Sequence, residues 1–203
     1  FKGGDLRIVV DAGNSASYIY ARLLKKFVEV IELYCDPDGN FPNHQPDPSK
    51  EENLRELQRV VVEHQADMGF GFDGDGDRVG VVDESGRIVD PTSVFAMMIE
   101  DSLRRNPGGK VVHDVLCSRF IDDVITSNGG QPVECKVGHT YVSKKMIETG
   151  AVLGGELSGH YYFRETGGVD DALFASLRIV SIGGRSLSSM VSRYRSPYLS
   201  HHE

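Results

Sequence analysis

The 203-residue sequence predicts an α/β fold with two similar tandem domains, each a mixed four-stranded sheet packed between helices. Three observations support this prediction. Short apolar runs alternate with segments of helical periodicity. The order strand, helix, strand, helix, strand, strand occurs twice, and a polar turn separates the last two strands of each half. A boundary near residue 90 gives domains 1–90 and 91–203.

The first half begins with an apolar run that is typical of a buried strand, after four residues without a secretion pattern. Its expected elements are a strand at 6–10, a helix at 18–27, a strand at 28–33, a helix from 49 to 64, and strands at 68–72, 79–83 and 87–89. A Pro-rich stretch predicts a long turn before the second helix. Ser49 and Glu52 predict a capping box at the start of that helix.

The second half repeats this order after a helix at 92–105, which ends near Pro107. Its expected elements are a strand at 110–115, a helix at 119–127, a strand at 131–137, a helix at 142–149, strands at 151–155 and 160–164, and a last helix at 171–180. The polar turns of the two halves align at a constant offset, since Glu156 stands 83 positions after Asp73. A duplicated domain design follows.

Composition excludes several classes of partner. A net charge of −8 without a long basic run disfavours nucleic acid and anionic membranes. No apolar run approaches the roughly 20 residues of a membrane span. Three cysteines without metal-type spacing are interpreted as reduced, packed thiols, which suggests a cytoplasmic protein; they are Cys35, Cys117 and Cys135.

The sequence Asp73-Gly74-Asp75-Gly76-Asp77-Arg78 is the strongest functional signal. Carboxylates this close repel one another unless a cation lies between them, and carboxylate oxygens are hard ligands suited to Mg²⁺, Mn²⁺ or Ca²⁺. The glycines let the backbone turn so that alternate side chains converge. We therefore predict a divalent cation site, in preference to an acidic surface turn.

Other acidic or Gly-rich motifs fit this loop less well. An EF-hand requires glycine where Arg78 stands, and a dinucleotide fingerprint requires a helix start that is missing here. An apolar strand followed by Asp73-x-Asp75 also fits phosphatases that use an aspartate nucleophile. Those of the haloacid-dehalogenase type expect Thr or Val where Asp77 stands, but this enzyme class remains an alternative.

The second polar turn, Gly155-Glu156-Leu157-Ser158-Gly159-His160, is suited to a polyhydroxyl ligand. A carboxylate accepts hydrogen bonds from two neighbouring hydroxyls, while Ser and His donate or accept. This turn carries little of the charge that is typical of a solvated hairpin turn, so a binding role is preferred.

Together these motifs resemble the two central domains of the α-D-phosphohexomutases, of the phosphomannomutase/phosphoglucomutase type. The matching stretches follow the family's order and span nearly the whole chain: residues 38–44, 73–78, 136–139, 155–160 and 170–172. Leu157 resembles the phosphomannomutase/phosphoglucomutase form of the sugar loop, where phosphoglucosamine mutases usually carry Gln. The sequence does not choose between glucose and mannose phosphates.

The resemblance implies a mechanism. A phosphoserine would carry the phosphoryl group, and one Mg²⁺ would bridge it to Asp73, Asp75 and Asp77. A hexose 1,6-bisphosphate would serve as intermediate and primer. The resemblance assigns Arg78, His139 and His160 as catalytic residues. It implies that the phosphohexose substrate is bound by residues of two segments: Lys136, His139, Glu156, Leu157, Ser158, Gly159 and His160.

The sequence also departs from the family's pattern. The serine loop belongs to a first domain and the phosphate clamp to a fourth, and neither is present in this sequence. Ser15 and Ser118 lack the surroundings of the serine loop, and Leu116 replaces a lysine that is frequent in this subfamily. We therefore expect the chain alone to be catalytically inert and to require these flanking domains. A non-enzymatic cation- or sugar-binding module is a further alternative.

Overall fold

The computed structural model describes residues 5–194; residues 1–4 and 195–203, including the predicted tail residues His201 and His202, lie outside it. The chain forms two compact units. Among the described residues, the first combines residues 5–90 with Ala172–Met190, and the second combines Pro91–Asp171 with residues 191–194. The predicted domains 1–90 and 91–203 stay a prediction. They differ from the two units in the segment Ala172–Met190, which the prediction places in the second domain and the structure groups with the first unit. Within the described part, no helix is long and apolar enough to cross a membrane.

The first unit contains a five-stranded mixed sheet in the order β2-β1-β3-β4-β5. Strand β1 runs parallel to β2 and β3, while β4 is antiparallel to both β3 and β5. The elements are β1 (Arg7–Asp11), α1 (Tyr18–Leu24), β2 (Glu29–Leu33), α2 (Glu51–Glu63), β3 (Met68–Phe72), β4 (Val79–Asp83) and β5 (Ile88–Val89). Strand β5 corresponds to the strand predicted at 87–89, but it joins the sheet, which therefore has five strands rather than the predicted four.

The second unit contains a four-stranded sheet in the order β7-β6-β8-β9, with β6 parallel to β7 and β8, and β9 antiparallel to β8. This order repeats that of the first four strands, which confirms the predicted fold class of two similar α/β domains. The elements are α3 (Pro91–Arg105), β6 (Lys110–Asp114), α4 (Arg119–Ser127), β7 (Gln131–Cys135), α5 (His139–Thr149), β8 (Leu153–Gly155) and β9 (Tyr161–Phe163). Helices α6 (Ala172–Gly183) and α7 (Leu187–Val191) follow, and α7 was not predicted.

Alternating glycines let α2 lie close against the first sheet. A Cβ at Gly69 would be 2.7 Å from the side chain of Val61, and one at Gly71 would be 2.6 Å from that of Leu54. Because successive strand residues face opposite sides, Phe70 and Phe72 fill the other face. The α2 side of the core is a cluster of buried aliphatic residues: Val9, Leu54, Leu57, Val60, Val61, Ala66 and Val82.

The second core uses the same arrangement, with α5 in the position of α2. Its cluster comprises Val112, Val142, Met146, Ala151 and Tyr162. Helix α3 packs closely near the end of β8, since a Cβ at Gly155 would lie 2.6 Å from the ring of Phe95. Both sheets are therefore fixed at the strand ends that carry the polar turns.

Three local predictions are corrected. Helix α1 ends at Leu24, so its connection to β2 is longer than the sequence suggested. Helix α5 begins at His139 rather than at residue 142, with Gly138 as its N-cap. The capping box is wrong: Lys50 is the N-cap of α2, and the Ser49 hydroxyl donates instead to Asp47 Oδ1 at 2.6 Å.

Candidate functional sites

Two polar loops occupy equivalent positions in the two sheets. The acidic loop, residues 73–78, connects β3 to β4, whose flanking residues Phe72 and Val79 are paired. The second polar loop, residues 156–160, connects β8 to β9, where Gly155 pairs with Tyr161. It is called the hydroxyl-binding loop after its predicted ligand. The predicted correspondence between the two turns therefore holds in three dimensions.

The buried side chain of Asp73 accepts hydrogen bonds from the backbone of the acidic loop. Its side chain is 1% exposed, and Oδ1 accepts hydrogen bonds from the backbone N–H groups of Gly76, Asp77 and Arg78 at 3.0, 3.0 and 3.1 Å. Three donors on one carboxylate oxygen force the chain into a tight turn. Asp73 thus shapes the loop, a role that its sequence pattern did not reveal.

The three loop aspartates converge as predicted. One carboxylate oxygen from each of Asp73, Asp75 and Asp77 lies within 4.8 Å of the others. Asp73 is buried, Asp77 is half-buried and Asp75 is exposed, so the cluster opens toward solvent on one side. Three hard oxygen donors with an open side fit a hydrated Mg²⁺, which binds through few carboxylates and keeps several waters.

Arg78 is held on the same loop. Its Nε donates to Asp73 Oδ2 at 2.7 Å, and its Nη1 donates to Asp47 Oδ1 at 3.4 Å. Asp47 belongs to the Pro-rich turn and was not among the predicted site residues. The sequence could not predict this contact, because it joins residues 31 positions apart. The only local sign of a special role for Asp47 was its position between two prolines.

The electrostatics of the acidic loop favour an ionised Asp73. Burial acts to raise the pKa of its carboxyl group. Hydrogen bonds involving Asp77 and Arg78 outweigh burial, and the pKa is lowered from its ordinary value. The hydrogen bond from Ser49 is the main cause of a lowered pKa at Asp47, with a smaller contribution from the Arg78 guanidinium.

His44 anchors the Pro-rich turn. Its Nε2 lies 3.0 Å from Asp11 Oδ2, and its Nδ1 lies 2.8 Å from the carbonyl oxygen of Gln45. Both ring nitrogens face acceptors, so only the imidazolium form satisfies both contacts. The hydrogen bond to the buried Asp11 is the main cause of the raised pKa of His44.

Glu156 joins the hydroxyl-binding loop to the start of α5. It is 4% exposed; Oε1 accepts from the Gly138 N–H at 3.0 Å, and Oε2 accepts from the Tyr162 hydroxyl at 2.5 Å. Burial acts to raise the pKa of Glu156. Hydrogen bonds from His160, Tyr162 and Gly138 outweigh burial, and the pKa is lowered from its ordinary value. The sequence did not single out Tyr162.

The remaining residues of this loop lie beside Glu156. The Ser158 hydroxyl is 2.8 Å from His160 Nδ1, which is also 3.3 Å from Glu156 Oε2. Leu157 and Ser158 are exposed, whereas Gly159 is buried with a φ of +91°, a conformation that favours glycine. The loop therefore presents a carboxylate, a hydroxyl and an imidazole in one hydrogen-bonded group.

Lys136 and His139 belong to the segment 136–139, where the chain passes from β7 into α5, and both are exposed. The Lys136 ammonium lies 5.9 Å from the centre of the Tyr141 ring, a cation–π distance. His139 is the first residue of α5. The Gly138–Glu156 hydrogen bond ties this segment to the hydroxyl-binding loop. The segment that carries Lys136 and His139 is therefore joined to the hydroxyl-binding loop through the Gly138 backbone N–H.

Neither excluded serine is placed as a phosphoryl carrier. Ser15 is buried and contacts Ser17 and the Asp73 carbonyl, while Ser118 caps α4 by accepting from the Phe120 N–H. Leu116, at the lysine position of the resemblance, is 60% exposed.

Comparison with known proteins gives consistent matches. The family model described as phosphoglucomutase/phosphomannomutase, alpha/beta/alpha domain II, matches residues 1–86, and the model for domain III matches residues 90–198. A phosphomannomutase/phosphoglucomutase of Pseudomonas aeruginosa is 46% identical over 180 residues, covering 87% of this chain and 39% of that protein. A phosphoglucomutase of Neisseria gonorrhoeae is 43% identical with the same coverage.

A solved structure agrees with these matches. The crystal structure of a phosphoglucomutase/phosphomannomutase family protein from Burkholderia thailandensis has a TM-score of 0.91 and 40% identity, covering 95% of this chain and 43% of that one. The fold and the site therefore define a protein of two tandem α/β domains with polar loops at equivalent strand ends. The chain belongs to the phosphoglucomutase/phosphomannomutase family and spans less than half the length of these relatives.

Proposed function

We propose that this chain forms the metal-binding and sugar-binding domains, residues 1–90 and 91–203, of a Mg²⁺-dependent phosphohexomutase. The enzyme would interconvert hexose 1-phosphates and hexose 6-phosphates of glucose or mannose. The observation that carries the proposal is the pair of equivalent loops, one offering three converging carboxylates and the other a hydrogen-bonded carboxylate, hydroxyl and imidazole.

In this proposal Asp73, Asp75 and Asp77 hold one Mg²⁺, which supplies positive charge next to a phosphoryl group in transfer. The lowered pKa of Asp73 keeps its carboxyl group ionised and ready to bind a cation. Arg78 adds positive charge beside the phosphoryl group. Its contacts with Asp73 and Asp47 hold the guanidinium in place and so reduce the reorganisation needed during reaction.

Glu156 and Ser158 would bind two neighbouring hydroxyls of the hexose. Glu156 Oε1 accepts from the Gly138 N–H, and its second lone-pair position can accept from a sugar hydroxyl while that contact is kept. Leu157 and Gly159 complete the loop surface. Glu156 and Ser158 would contact the same two hydroxyls whichever end of the hexose carries the reacting group, so the hexose can bind in either orientation.

The phosphoryl group would pass from a phosphoserine to a sugar hydroxyl. The hydroxyl oxygen forms a bond to phosphorus as the serine oxygen–phosphorus bond breaks; His139 or His160 takes the hydroxyl proton, and the departing serine oxygen takes up a proton to become the hydroxyl again. The hexose 1,6-bisphosphate then turns over and returns its other phosphate to the serine. Lys136 contributes positive charge near the substrate. The phosphoserine and the phosphate clamp belong to flanking domains of the same protein, and a cytoplasmic location fits the reduced thiols.

An aspartyl-phosphate phosphatase is less well supported. Asp73 would be the nucleophile, but phosphatases of the haloacid-dehalogenase type expect Thr or Val at the position where Asp77 stands. Acyl-phosphate on Asp73, with loss of hydrolysis in Asp73→Asn, would favour that mechanism. Tight Ca²⁺ binding without any need for phosphate would favour a non-enzymatic binding module.

The deciding experiment is a mutase assay on the product of the whole native gene. Glucose 1-phosphate, a catalytic amount of glucose 1,6-bisphosphate and Mg²⁺ are supplied, and glucose 6-phosphate is followed by a coupled dehydrogenase. We expect turnover that requires both Mg²⁺ and the primer, and that Asp75→Asn abolishes. Hydrolysis to free phosphate without isomerisation would contradict the proposal.

A further inference from the structure

Two side chains near the start of α1 reach the backbone of the acidic loop. The Tyr20 hydroxyl donates to the carbonyl oxygen of Gly76 at 2.9 Å, and the Ser15 hydroxyl donates to the carbonyl oxygen of Asp73 at 3.2 Å. Neither residue is among the proposed ligands or substrate contacts. Both contacts join positions more than 50 residues apart within the first unit.

Tyr20 and Asp73 hold the two peptide groups that flank the Gly76 Cα. The Gly76 N–H donates to Asp73 Oδ1, while its carbonyl accepts from Tyr20. Gly76 lies between Asp75 and Asp77 and has a φ of +81°. Fixing the backbone at this residue therefore sets the direction in which both neighbouring carboxylates leave the chain.

The position of the Tyr20 ring is itself well defined. It packs edge-on against Phe72, with ring centres 5.1 Å apart and an angle of 77° between the planes. Phe72 is buried and directly precedes Asp73. A Cβ at Gly76 would lie 2.8 Å from the Tyr20 hydroxyl oxygen, so the phenol and the loop are in close contact.

We infer that Tyr20 and Ser15 are positioning residues for the divalent cation, with Tyr20 the principal one. The inference rests on the proposed metal site. By fixing the backbone of the acidic loop before a cation binds, these hydroxyls keep the three carboxylate oxygens close together. Mg²⁺ demands near-ideal octahedral geometry, whereas Ca²⁺ accepts irregular, flexible sites. The hydroxyls therefore favour Mg²⁺ over Ca²⁺.

The test compares Tyr20→Phe with Tyr18→Phe in the 203-residue chain. The Tyr20→Phe substitution keeps the ring against Phe72 and removes only the hydroxyl. Tyr18 is on the same helix, but its ring faces Arg22 at 5.0 Å, so its variant is a matched control. Dissociation constants for Mg²⁺ and Ca²⁺ are measured by calorimetry, and thermal unfolding is recorded without metal.

We expect Tyr20→Phe to weaken Mg²⁺ binding about fivefold, the effect of one lost hydrogen bond, and Ca²⁺ binding less than about twofold. Tyr18→Phe should match the wild type for both cations. The decisive quantity is the ratio of the dissociation constants for Mg²⁺ and Ca²⁺. A positioning role changes this ratio in the variant, whereas a general loss of stability weakens the binding of both cations and leaves the ratio unchanged. An unchanged ratio in Tyr20→Phe would overturn the inference.

Two further outcomes are distinguishable. If the wild-type chain binds neither cation, the proposed metal site itself is wrong, and the inference is overturned with it. If Tyr20→Phe does not fold, Ser15→Ala provides the same comparison, because it removes the second hydroxyl that holds the loop backbone. A Mg²⁺/Ca²⁺ ratio equal to that of the wild type in Ser15→Ala would then overturn the inference.

Discussion

The three aspartates of the acidic loop have the same side chain but different environments. Asp73 accepts three backbone N–H groups and the Arg78 guanidinium, whereas Asp75 is exposed. The same chemical change should therefore have different consequences at the two positions. In the proposed cation site, Asp73 would shape the loop as well as bind the cation, and Asp75 would bind the cation alone.

Asp75→Asn should reduce Mn²⁺ affinity by about 100-fold or more, since it removes a charged ligand, and change the free energy of unfolding by less than about 0.5 kcal/mol. Asp73→Asn should lower the unfolding free energy by about 2 kcal/mol, because charge-assisted hydrogen bonds are lost. Calorimetric titration and urea unfolding measure the two effects. Equal destabilisation by both variants would contradict the assigned roles.

Tyr162→Phe should raise the pKa of Glu156 toward its ordinary value, because the variant loses a hydrogen bond to the ionised carboxylate. In the wild type, the stability contributed by Glu156 is present above the unfolded-state pKa of about 4.3 and is lost as pH falls through the lower folded-state pKa. The variant should show a smaller loss over this range. Carboxyl-carbon NMR titration measures the pKa directly.

Tyr161→Phe is the matched control for Tyr162→Phe, since the Tyr161 hydroxyl donates to the Pro91 carbonyl instead. It should leave the titration of Glu156 as in the wild type. If Tyr162→Phe behaves like this control, the hydroxyl of Tyr162 does not determine the ionisation of Glu156.

The stability contributed by His44 should depend on pH in the opposite direction to that contributed by Glu156. Its pKa is raised chiefly by the hydrogen bond to Asp11, so its contribution is complete below the unfolded-state pKa of about 6.5 and is lost as pH rises through the folded-state value. We expect His44→Asn to cost about 1.5–3 kcal/mol at a pH of about 5.5 and less at alkaline pH. Denaturant unfolding across pH, with the exposed His64→Asn as control, tests this; a pH-independent difference would refute it.

At the level of elements, close packing at glycine fixes where each polar loop begins. Gly155 is the last residue of β8 and directly precedes Glu156, and the ring of the buried Phe95 fills the space that a side chain would need. Helix α3 therefore supports the strand end from which the hydroxyl-binding loop starts. In the first unit, α2 approaches β3 at Gly69 and Gly71 in the same way.

Gly155→Ala should destabilise the second unit by about 1–3 kcal/mol, because an added methyl group would overlap the Phe95 ring. Gly39→Ala is the matched control: a Cβ at Gly39 would have no atom within 4 Å, so its effect should stay within about 0.5 kcal/mol. Urea unfolding measures both. A neutral Gly155→Ala would mean that α3 can move away without cost.

At the level of the whole molecule, we expect the 203-residue chain to bind divalent cations but not to catalyse isomerisation. Its described residues include the acidic loop and the hydroxyl-binding loop, while the proposed phosphoserine and phosphate clamp belong to flanking domains. The coupled assay with glucose 1-phosphate, bisphosphate primer and Mg²⁺ should show no turnover above the protein-free rate. Turnover by this chain alone would refute the proposed division of roles.

Much of the fold could be predicted because the periodicities are local. Alternating or continuous apolar runs correctly predicted the positions of the strands in the two described sheets, and β5 was predicted as a returning strand although the sheet was counted as four-stranded. Helix ends were less predictable. His139 enters α5 because Gly138, with a φ of +121°, turns the chain into the helix about one turn earlier than the apolar pattern suggests.

The sequence by itself determined the two-domain α/β design and the identity of the polar loops, because residue spacing encodes strand alternation, turns and clustered carboxylates. Only the tertiary structure revealed the groups that hold those loops: Tyr20 and Ser15 on the acidic loop backbone, Asp47 on Arg78, and Tyr162 and Gly138 on Glu156. Most of these contacts join residues far apart in the chain. They depend on the packing of whole elements. The hydrogen-bond partner of a hydroxyl or a backbone amide cannot be predicted from the residues next to it in the sequence.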